Sequence, residues 1–226
     1  MKLSVIVPCF NERSTILTLL ERVKAVGIDK EILVIDNCST DGTRELLQAL
    51  DDPAVCVLLQ SENRGKGSSV RWGFAEARGE FVIIQDADLE YDPADYLKLL
   101  PVIEASEQTV VYGTRLAKRP EKIDRTSLHL GRIGLTKLFN WLYGANISDV
   151  ATCYKLMPTR VAQAMTLRAR GFDFDFEISA KLRRAEYAIA EVPISYHPRS
   201  AHEGKKLRIR DGWTAVWALL KYRFRD

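Results

Sequence analysis

The chain has 226 residues, 46% of them hydrophobic and 28% charged. That composition excludes a disordered or fibrous polymer and suits one domain long enough to bury a core without staples. The formal net charge of +3 is too small to point to nucleic acid, but it is unevenly spread. From Arg199 onward stand eight basic and three acidic residues, a terminus suited to phosphate or a lipid surface.

The first half alternates strands and helices. LSVIVP is a short apolar run rich in β-branched residues, the pattern of a strand buried on both faces. Asn11 to Ser14 leads into a helix carrying Ile16, Leu19, Leu20 and Val23, which runs out at Gly27. EILVID predicts a second strand and Asn37 to Gly42 a turn, with Asp41 placed to cap the helix TRELLQAL. VCVLLQ predicts a third strand, followed by Asn63-Arg64-Gly65-Lys66-Gly67 and the helix SSVRWGFAEA. FVIIQDAD predicts a fourth strand running straight into acids. Strands spaced by such helices imply βαβ units and a parallel sheet, whose ligands bind beyond the carboxyl ends of the strands. Asp36, Asn63 and Asp86 stand at those ends.

The second half is less regular. TVVYGTR predicts another strand, and Ser127 to Tyr143 a helix with Leu128, Leu135, Leu138, Phe139 and Leu142. A turn at Gly171 leads into the helix DFDFEISAKLRR, and AIAEVPISYHP predicts a strand ending at Pro198. In the last segment Trp213, Val216, Trp217 and Leu220 form an apolar helix stripe bordered by Lys221, Arg223 and Arg225. That is the composition of a helix at a membrane interface; packing on the domain or in a dimer is the competing reading.

Four cysteines, Cys9, Cys38, Cys56 and Cys153, lie far apart without a C-x-x-C pair. They read as buried thiols of a reducing compartment. The N-terminal apolar run is broken by Pro8 and Asn11, too short for a secretion signal. No stretch approaches the roughly 18 apolar residues of a membrane-crossing helix. The expected location is the cytoplasm, peripheral to the cytoplasmic face of a membrane.

The strongest chemical signal is Asp86-Ala87-Asp88, followed by Glu90, Asp92 and Pro93. Two carboxylates one residue apart at a strand end repel each other and raise a pKa unless something neutralises them. A hard divalent cation with phosphate oxygens does so; a solvated acidic loop is the plain alternative. The Asn63–Gly67 segment is not a P-loop, because position 60 is Gln where that loop needs Gly. No G-x-G-x-x-G follows a strand either, so a P-loop NTPase and a nicotinamide dehydrogenase are excluded.

VIVPCFNE, IDNCSTDGT, NRGKGSSVRWGF and QDADLEYDP occur in that order. Together they resemble the inverting family 2 glycosyltransferases of the GT-A fold, most of all the dolichol- or polyprenyl-phosphate mannose or glucose synthases. The likeness continues through YGTR, DVATCYKLM, GFDFDFEISAKL and YHPRSAHEGKKLRIRDG, so it covers nearly the whole chain. It implies an α/β fold, a single Rossmann-like GT-A domain with a mostly parallel central sheet flanked by helices over 1–226. Within it, 1–115 would be the nucleotide-sugar half, 116–210 the acceptor-side half and 211–226 a C-terminal amphipathic helix. The implied reaction moves a hexose, with inversion, from a GDP-mannose- or UDP-glucose-type donor to a polyprenyl or dolichyl phosphate, with Mg²⁺ or Mn²⁺ as cofactor. The alternatives are a same-fold enzyme with a sugar-hydroxyl acceptor and a catalytically silent nucleotide-sugar binder.

By the same resemblance Pro8, Phe10, Glu12 and Asp36 hold the nucleotide, Phe10 packing on the base while Glu12 and Asp36 accept hydrogen bonds. Family members commonly carry a second acid at position 37, where this chain has Asn. Lys66 lies near the diphosphate, and Asp86, Ala87 and Asp88 contact the donor. Asp86, Asp88 and Glu90 hold the metal. Arg115, Arg132 and Thr136 face the acceptor phosphate; the spacing of the last two puts them on one helix face, and guanidinium groups match phosphate. Asp149 sits where relatives that attack with a sugar hydroxyl keep a catalytic acid, so Asp86, Asp88, Arg115 and Asp149 are the catalytic candidates. Glu177 is either a supporting carboxylate or the first-turn acid of its helix. Arg199, Lys205 and Lys206 belong to a basic loop that closes over the donor. A phosphate acceptor is ionised at neutral pH and needs no strong base, whereas a hydroxyl needs one. The expected partners are the nucleotide-diphosphate sugar, the polyprenyl-phosphate lipid and a membrane surface, with a homodimer left open and no nucleic acid.

Overall fold

The computed structural model describes residues 1–106, 108–116, 127–199 and 209–224. Among them, seven strands form one sheet: β1 (Leu3–Cys9), β2 (Lys30–Asp36), β3 (Val55–Leu59), β4 (Phe81–Ile84), β5 (Thr109–Thr114), β6 (Lys155–Pro158) and β7 (Ala188–Pro193). Their order is β3-β2-β1-β4-β6-β5-β7. Neighbours run parallel except for β6, which is antiparallel to both β4 and β5. The helices are α1 (Ile16–Ala25), α2 (Thr43–Gln48), α3 (Lys66–Glu76), α4 (Tyr96–Glu104), α5 (Ser127–Tyr143), α6 (Thr159–Ala164), α7 (Phe174–Arg184) and α8 (Ile209–Phe224). This is the expected mostly parallel α/β domain.

The pattern of burial explains the layers. Every residue of β4 is buried, and so are Leu3 to Val7 of β1 and Ile32 to Asp36 of β2, as befits strands covered on both faces. On α1 the stripe Ile16, Leu19, Leu20 and Val23 is buried as its spacing requires. Helix α3 seats on β1 and β2 because Gly73 carries no side chain: a Cβ there would lie 2.4 Å from Ile6 Cγ2 and 3.0 Å from Ile35 Cδ1.

Register brings the functional rim together. Cys9 of β1 pairs with Asp36 of β2, which pairs with Leu59 of β3. The ladder then continues one step: Asn37 N–H donates to Cys9 O at 2.8 Å, Gln60 N–H to Asp36 O at 2.9 Å and Gln85 N–H to Ile6 O at 2.8 Å. The segments after β1, β2, β3 and β4 therefore leave the sheet along one edge, the carboxyl edge expected to carry ligands.

Several local expectations change. The N-cap of α2 is Gly42, and Asp41 acts from one position further out, accepting Thr43 N–H at 3.0 Å and Arg13 N–H at 3.2 Å. Strand β7 stops at Pro193 rather than Pro198, because beyond it the N–H groups turn to other partners. Ser195 N–H donates to Asp95 Oδ2 and His197 N–H to Glu90 O, leaving Tyr196 as a lone bridge to Tyr91. Of the cysteines only Cys9 and Cys153 are buried; Cys38 is half-buried, and Cys56 is exposed on the edge strand β3. Helix α8 packs through Ala215, Ala218, Leu219 and Tyr222 while Trp213, Trp217 and Phe224 stay exposed, so it has both a packed face and an open aromatic one. No helix among the described residues is long and apolar enough to cross a membrane.

Candidate active site

The donor-side residues converge on the rim. Asp36 is fully buried; its carboxylate accepts Ser39 N–H at 3.3 Å and Arg44 Nη1 at 3.2 Å, and the same guanidinium nitrogen donates to Gln60 O at 2.8 Å. Asn37 gives its Nδ2 to Asn63 Oδ1 at 3.0 Å and accepts Arg64 N–H on Oδ1 at 2.8 Å. An amide can do both and a carboxylate cannot, which accounts for Asn where an acid was expected. Asn11, at φ +52°, joins the loop after β1 to that after β2 by accepting Thr40 N–H at 2.8 Å. Pro8 and Phe10 are half-buried beside it.

Glu12 lies in a different setting from the one expected of a nucleotide ligand. Its carboxylate is held by Arg199, whose Nη1 and Nη2 donate at 3.2 and 2.8 Å, and by the Thr15 hydroxyl at 2.9 Å. Arg199 also gives its N–H to Glu90 Oε1 at 2.8 Å and its Nε to Asp88 O at 3.1 Å. It thus ties the segment after β7 to the loops after β1 and β4. Of the expected lid, Arg199 lies among the described residues, and Lys205 and Lys206 lie outside them.

After β4 the acids part company. Asp86 Oδ1 meets Lys66 Nζ at 2.5 Å. Burial pushes the Asp86 carboxyl up, but the Lys66 charge and hydrogen bond more than offset this and hold it below its usual range. Asp88 goes the other way: burial, followed by the charges of Asp86 and Glu90, pushes it up to about 7. Such a conflict is what a divalent cation resolves, and two carboxylates are a fitting hard-oxygen donor pair. Glu90, the third expected ligand, has other partners in this structure. Among the described residues no three His, Cys, Asp or Glu side chains gather to hold a metal ion, and the Glu90 oxygens accept Arg199 N–H and, at 2.9 Å, the Tyr196 hydroxyl. Ala87 is buried between the two aspartates.

The start of α3 confirms that this is no phosphate cradle of the P-loop kind. Gly67 N–H donates to Arg170 O at 2.8 Å, while Ser68 and Ser69 N–H both return to Gly65 O. The two residues before Arg170 are held in turn by Glu177, a fully buried carboxylate that accepts Arg168 N–H and Ala169 N–H at 2.9 and 2.7 Å and pairs with Lys181 at 2.9 Å. Glu177 is therefore the supporting carboxylate of that loop.

Among the residues expected to face the acceptor, Arg115 forms a two-pronged pair with Asp149, Nε to Oδ2 at 2.6 Å and Nη2 to Oδ1 at 2.8 Å, and Nη2 also reaches Ala151 O at 2.9 Å. Arg132 Nη1 stands 3.9 Å from Asp149 Oδ2. Burial alone would raise the Asp149 carboxyl, but Arg115, with Arg132 and Lys155 behind it, holds it below the usual range. A carboxylate so engaged makes a poor proton acceptor in this arrangement, and the pair fixes the Arg115 guanidinium. The Thr136 hydroxyl is spent inside the fold, donating to Arg132 O at 3.0 Å and accepting Val150 N–H at 3.3 Å.

Three side chains that shape this side had not been singled out. Tyr91 and Tyr196 set their rings 5.9 and 5.2 Å from the Arg115 guanidinium carbon, and Glu191 accepts Asp149 N–H at 3.0 Å and Ser148 N–H at 2.7 Å. The two tyrosines are far apart in sequence and meet only through the bridge between their segments. No spacing rule links them.

Comparison with known proteins gives the family and the fold. The family model described as glycosyl transferase family 2 matches residues 4–166. The chain is 30% identical over 223 residues to the low-salt glycan biosynthesis hexosyltransferase Agl6 of Haloferax volcanii, covering 96% of this chain and 53% of that protein. It is 30% identical over 217 residues to a dolichol-phosphate mannosyltransferase of Pyrococcus furiosus, covering 91% and 59%. An undecaprenyl-phosphate mannosyltransferase of Micrococcus luteus is 26% identical over 223 residues, covering 91% and 87%. The chain thus spans little more than half the length of the first two relatives. Among solved structures, glucosyl-3-phosphoglycerate synthase from Mycobacterium tuberculosis in complex with UDP superposes with a TM-score of 0.77 at 17% identity, over 100% of this chain and 81% of that one. At that identity the likeness speaks for the fold.

Proposed function

The chain belongs to glycosyl transferase family 2, and from that premise we propose that it moves a hexose from a nucleotide-diphosphate sugar to a polyprenyl phosphate, inverting the anomeric carbon. The observation that carries the acceptor is the Arg115–Asp149 pair. Asp149, the buried carboxylate beside Arg115, is neutralised in two-pronged fashion, so the pair offers orientation and positive field rather than a ready base. A phosphate oxygen needs only the former; a sugar hydroxyl needs a base. Relatives named for transfer to dolichol phosphate and undecaprenyl phosphate support the same acceptor class.

In this reading, residues 1–115 form the donor half and 116–210 the acceptor half. Asp36, with Phe10 and Pro8, lines the nucleotide pocket, and Lys66 faces the diphosphate. Glu12 reaches the nucleotide only where Arg199 releases it. Asp86 and Asp88 are the residues that would hold Mg²⁺ or Mn²⁺, which when bound offsets charge on the departing nucleoside diphosphate. Arg115, steadied by Asp149, Tyr91 and Tyr196, orients the acceptor phosphate, and Arg132 adds a second positive charge. Sugar and phosphate oxygen then meet on the face opposite the leaving group.

The experiment is a donor panel. The chain is incubated with GDP- and UDP-hexoses, Mn²⁺ and a short polyprenyl phosphate, and lipid-linked product is followed by mass spectrometry. Product from at least one donor, abolished by chelator, is expected. No product from any donor, with nucleotide binding intact, would leave a binding module instead.

A further inference from the structure

We propose that Lys66 is the counter-ion of Asp86 while no donor is bound, and that it thereby makes the divalent cation and the donor diphosphate bind together rather than separately. The proposal rests on the donor-site reading above and concerns how that site is filled.

The ammonium of Lys66 lies 2.5 Å from Asp86 Oδ1 on a side chain only 16% exposed, and the rings of Phe172 and Phe174 stand 5.7 and 5.4 Å from it. The backbone fixes it there. Gly65 precedes it at φ +84°, and the next N–H, from Gly67, is anchored on Arg170 O. Lys66 is therefore built into the site. A cation approaching Asp86 and Asp88 meets a positive charge already seated on one of the two, and like charges in a part-buried site repel strongly.

The diphosphate supplies what both positive groups need. Its oxygens complete the cation's shell and give Lys66 a new anion, so Lys66 passes from Asp86 to phosphate as Asp86 passes to the cation. A lysine suits this exchange, being a point charge with three donors on a flexible stem. Each ligand then lowers the cost of the other, and the coupling is reciprocal.

Mn²⁺ binding to the full chain, read by electron paramagnetic resonance of the free ion with and without saturating UDP or GDP, tests this. Wild type should bind Mn²⁺ weakly alone and about tenfold or more tightly with nucleotide. Lys66→Met should bind Mn²⁺ alone about tenfold tighter than wild type and lose most of the nucleotide-induced gain; Lys66→Arg should behave as wild type. Thermal melts establish that the variants fold, with Lys66→Gln replacing Lys66→Met if it does not. The proposal is overturned if nucleotide brings no tightening in wild type. It is equally overturned if Lys66→Met binds Mn²⁺ no tighter while Asp88→Asn abolishes binding, a result that keeps the donor site and removes Lys66 from its role. Absence of Mn²⁺ binding in every combination removes the donor-site reading and the proposal together.

Discussion

At the scale of single residues the site is a set of charges arranged against their solvation. Asp88, pushed up to about 7 by burial and two neighbouring carboxylates, holds its proton more tightly in the folded chain than in the unfolded one. The metal-free protein should therefore lose stability as pH climbs from about 4, the ordinary aspartate value, through about 7. Thermal melts in chelator between those values should show that slope, and Asp88→Asn should flatten it; an unchanged slope removes Asp88 as its source. The same replacement should cut metal-supported turnover by about a hundredfold or more with the fold intact. Asp149 is the opposite case. Its carboxyl sits below the usual range, so its share of stability is present above about 4 and lost as pH falls through its lower folded value. Asp149→Ala strands Arg115 and should cost about 3–5 kcal/mol in chemical denaturation. Adding Arg115→Met to it should cost much less than the sum of the two single changes. In the sequence, Asp86-Ala87-Asp88 and Asp36 stood out because acids at strand ends have few structural uses. Tyr91, Tyr196 and the Glu12–Arg199 pair did not, because their meaning lies in contacts between segments that nothing local connects.

At the scale of elements, the loops matter as much as the strands. The Gly65–Gly67 turn and the Arg168–Gly171 segment lean on each other so closely that a Cβ on Gly65, at φ +84°, would fall 2.2 Å from Arg170 O. Gly65→Ala should thus cost about 2 kcal/mol or more, combining positive-φ strain with a backbone clash, and should weaken nucleotide binding by displacing Lys66. Denaturation together with a nucleotide titration checks both, and a neutral Gly65→Ala would mean that the two segments move freely. The first four strands were legible because buried parallel strands read as unbroken apolar runs. Helix α4 is masked in the sequence by Pro101 inside it, a residue that ordinarily breaks a helix. Strand β6 was hidden by brevity and by Lys155, which is fully buried with its ammonium on Thr152 O at 2.5 Å and Asp175 Oδ1 at 2.8 Å. A lysine inside a four-residue strand cancels the apolar signal, and only the tertiary partner restores its logic.

At the scale of the whole molecule, α5 and α8 present Trp141, Trp213, Trp217 and Phe224 to solvent, each at least 67% exposed. The helices are joined by the Tyr143 hydroxyl donating to Leu219 O at 2.7 Å. Arg132 lies on the same α5, so an aromatic face and the proposed acceptor site share one element. We propose a membrane surface as the contact of this face, with Lys221 and Arg223 to meet anionic head groups. Binding to anionic vesicles should weaken with salt and fall further in Trp217→Ala and Trp141→Ala, measured by co-sedimentation; indifference to such vesicles at low salt would assign that face to protein. One competition measures the choice of acceptor. The chain, a productive nucleotide sugar and Mn²⁺ are offered a short polyprenyl phosphate and the matching polyprenol in equal amounts, with a free hexose as third acceptor, and the product is assigned by mass and anomeric configuration. The expected result is an inverted hexosyl phosphate ester of the lipid with the two hydroxyl acceptors untouched; glycosylation of the free hexose or the polyprenol in preference to the phosphate would contradict it.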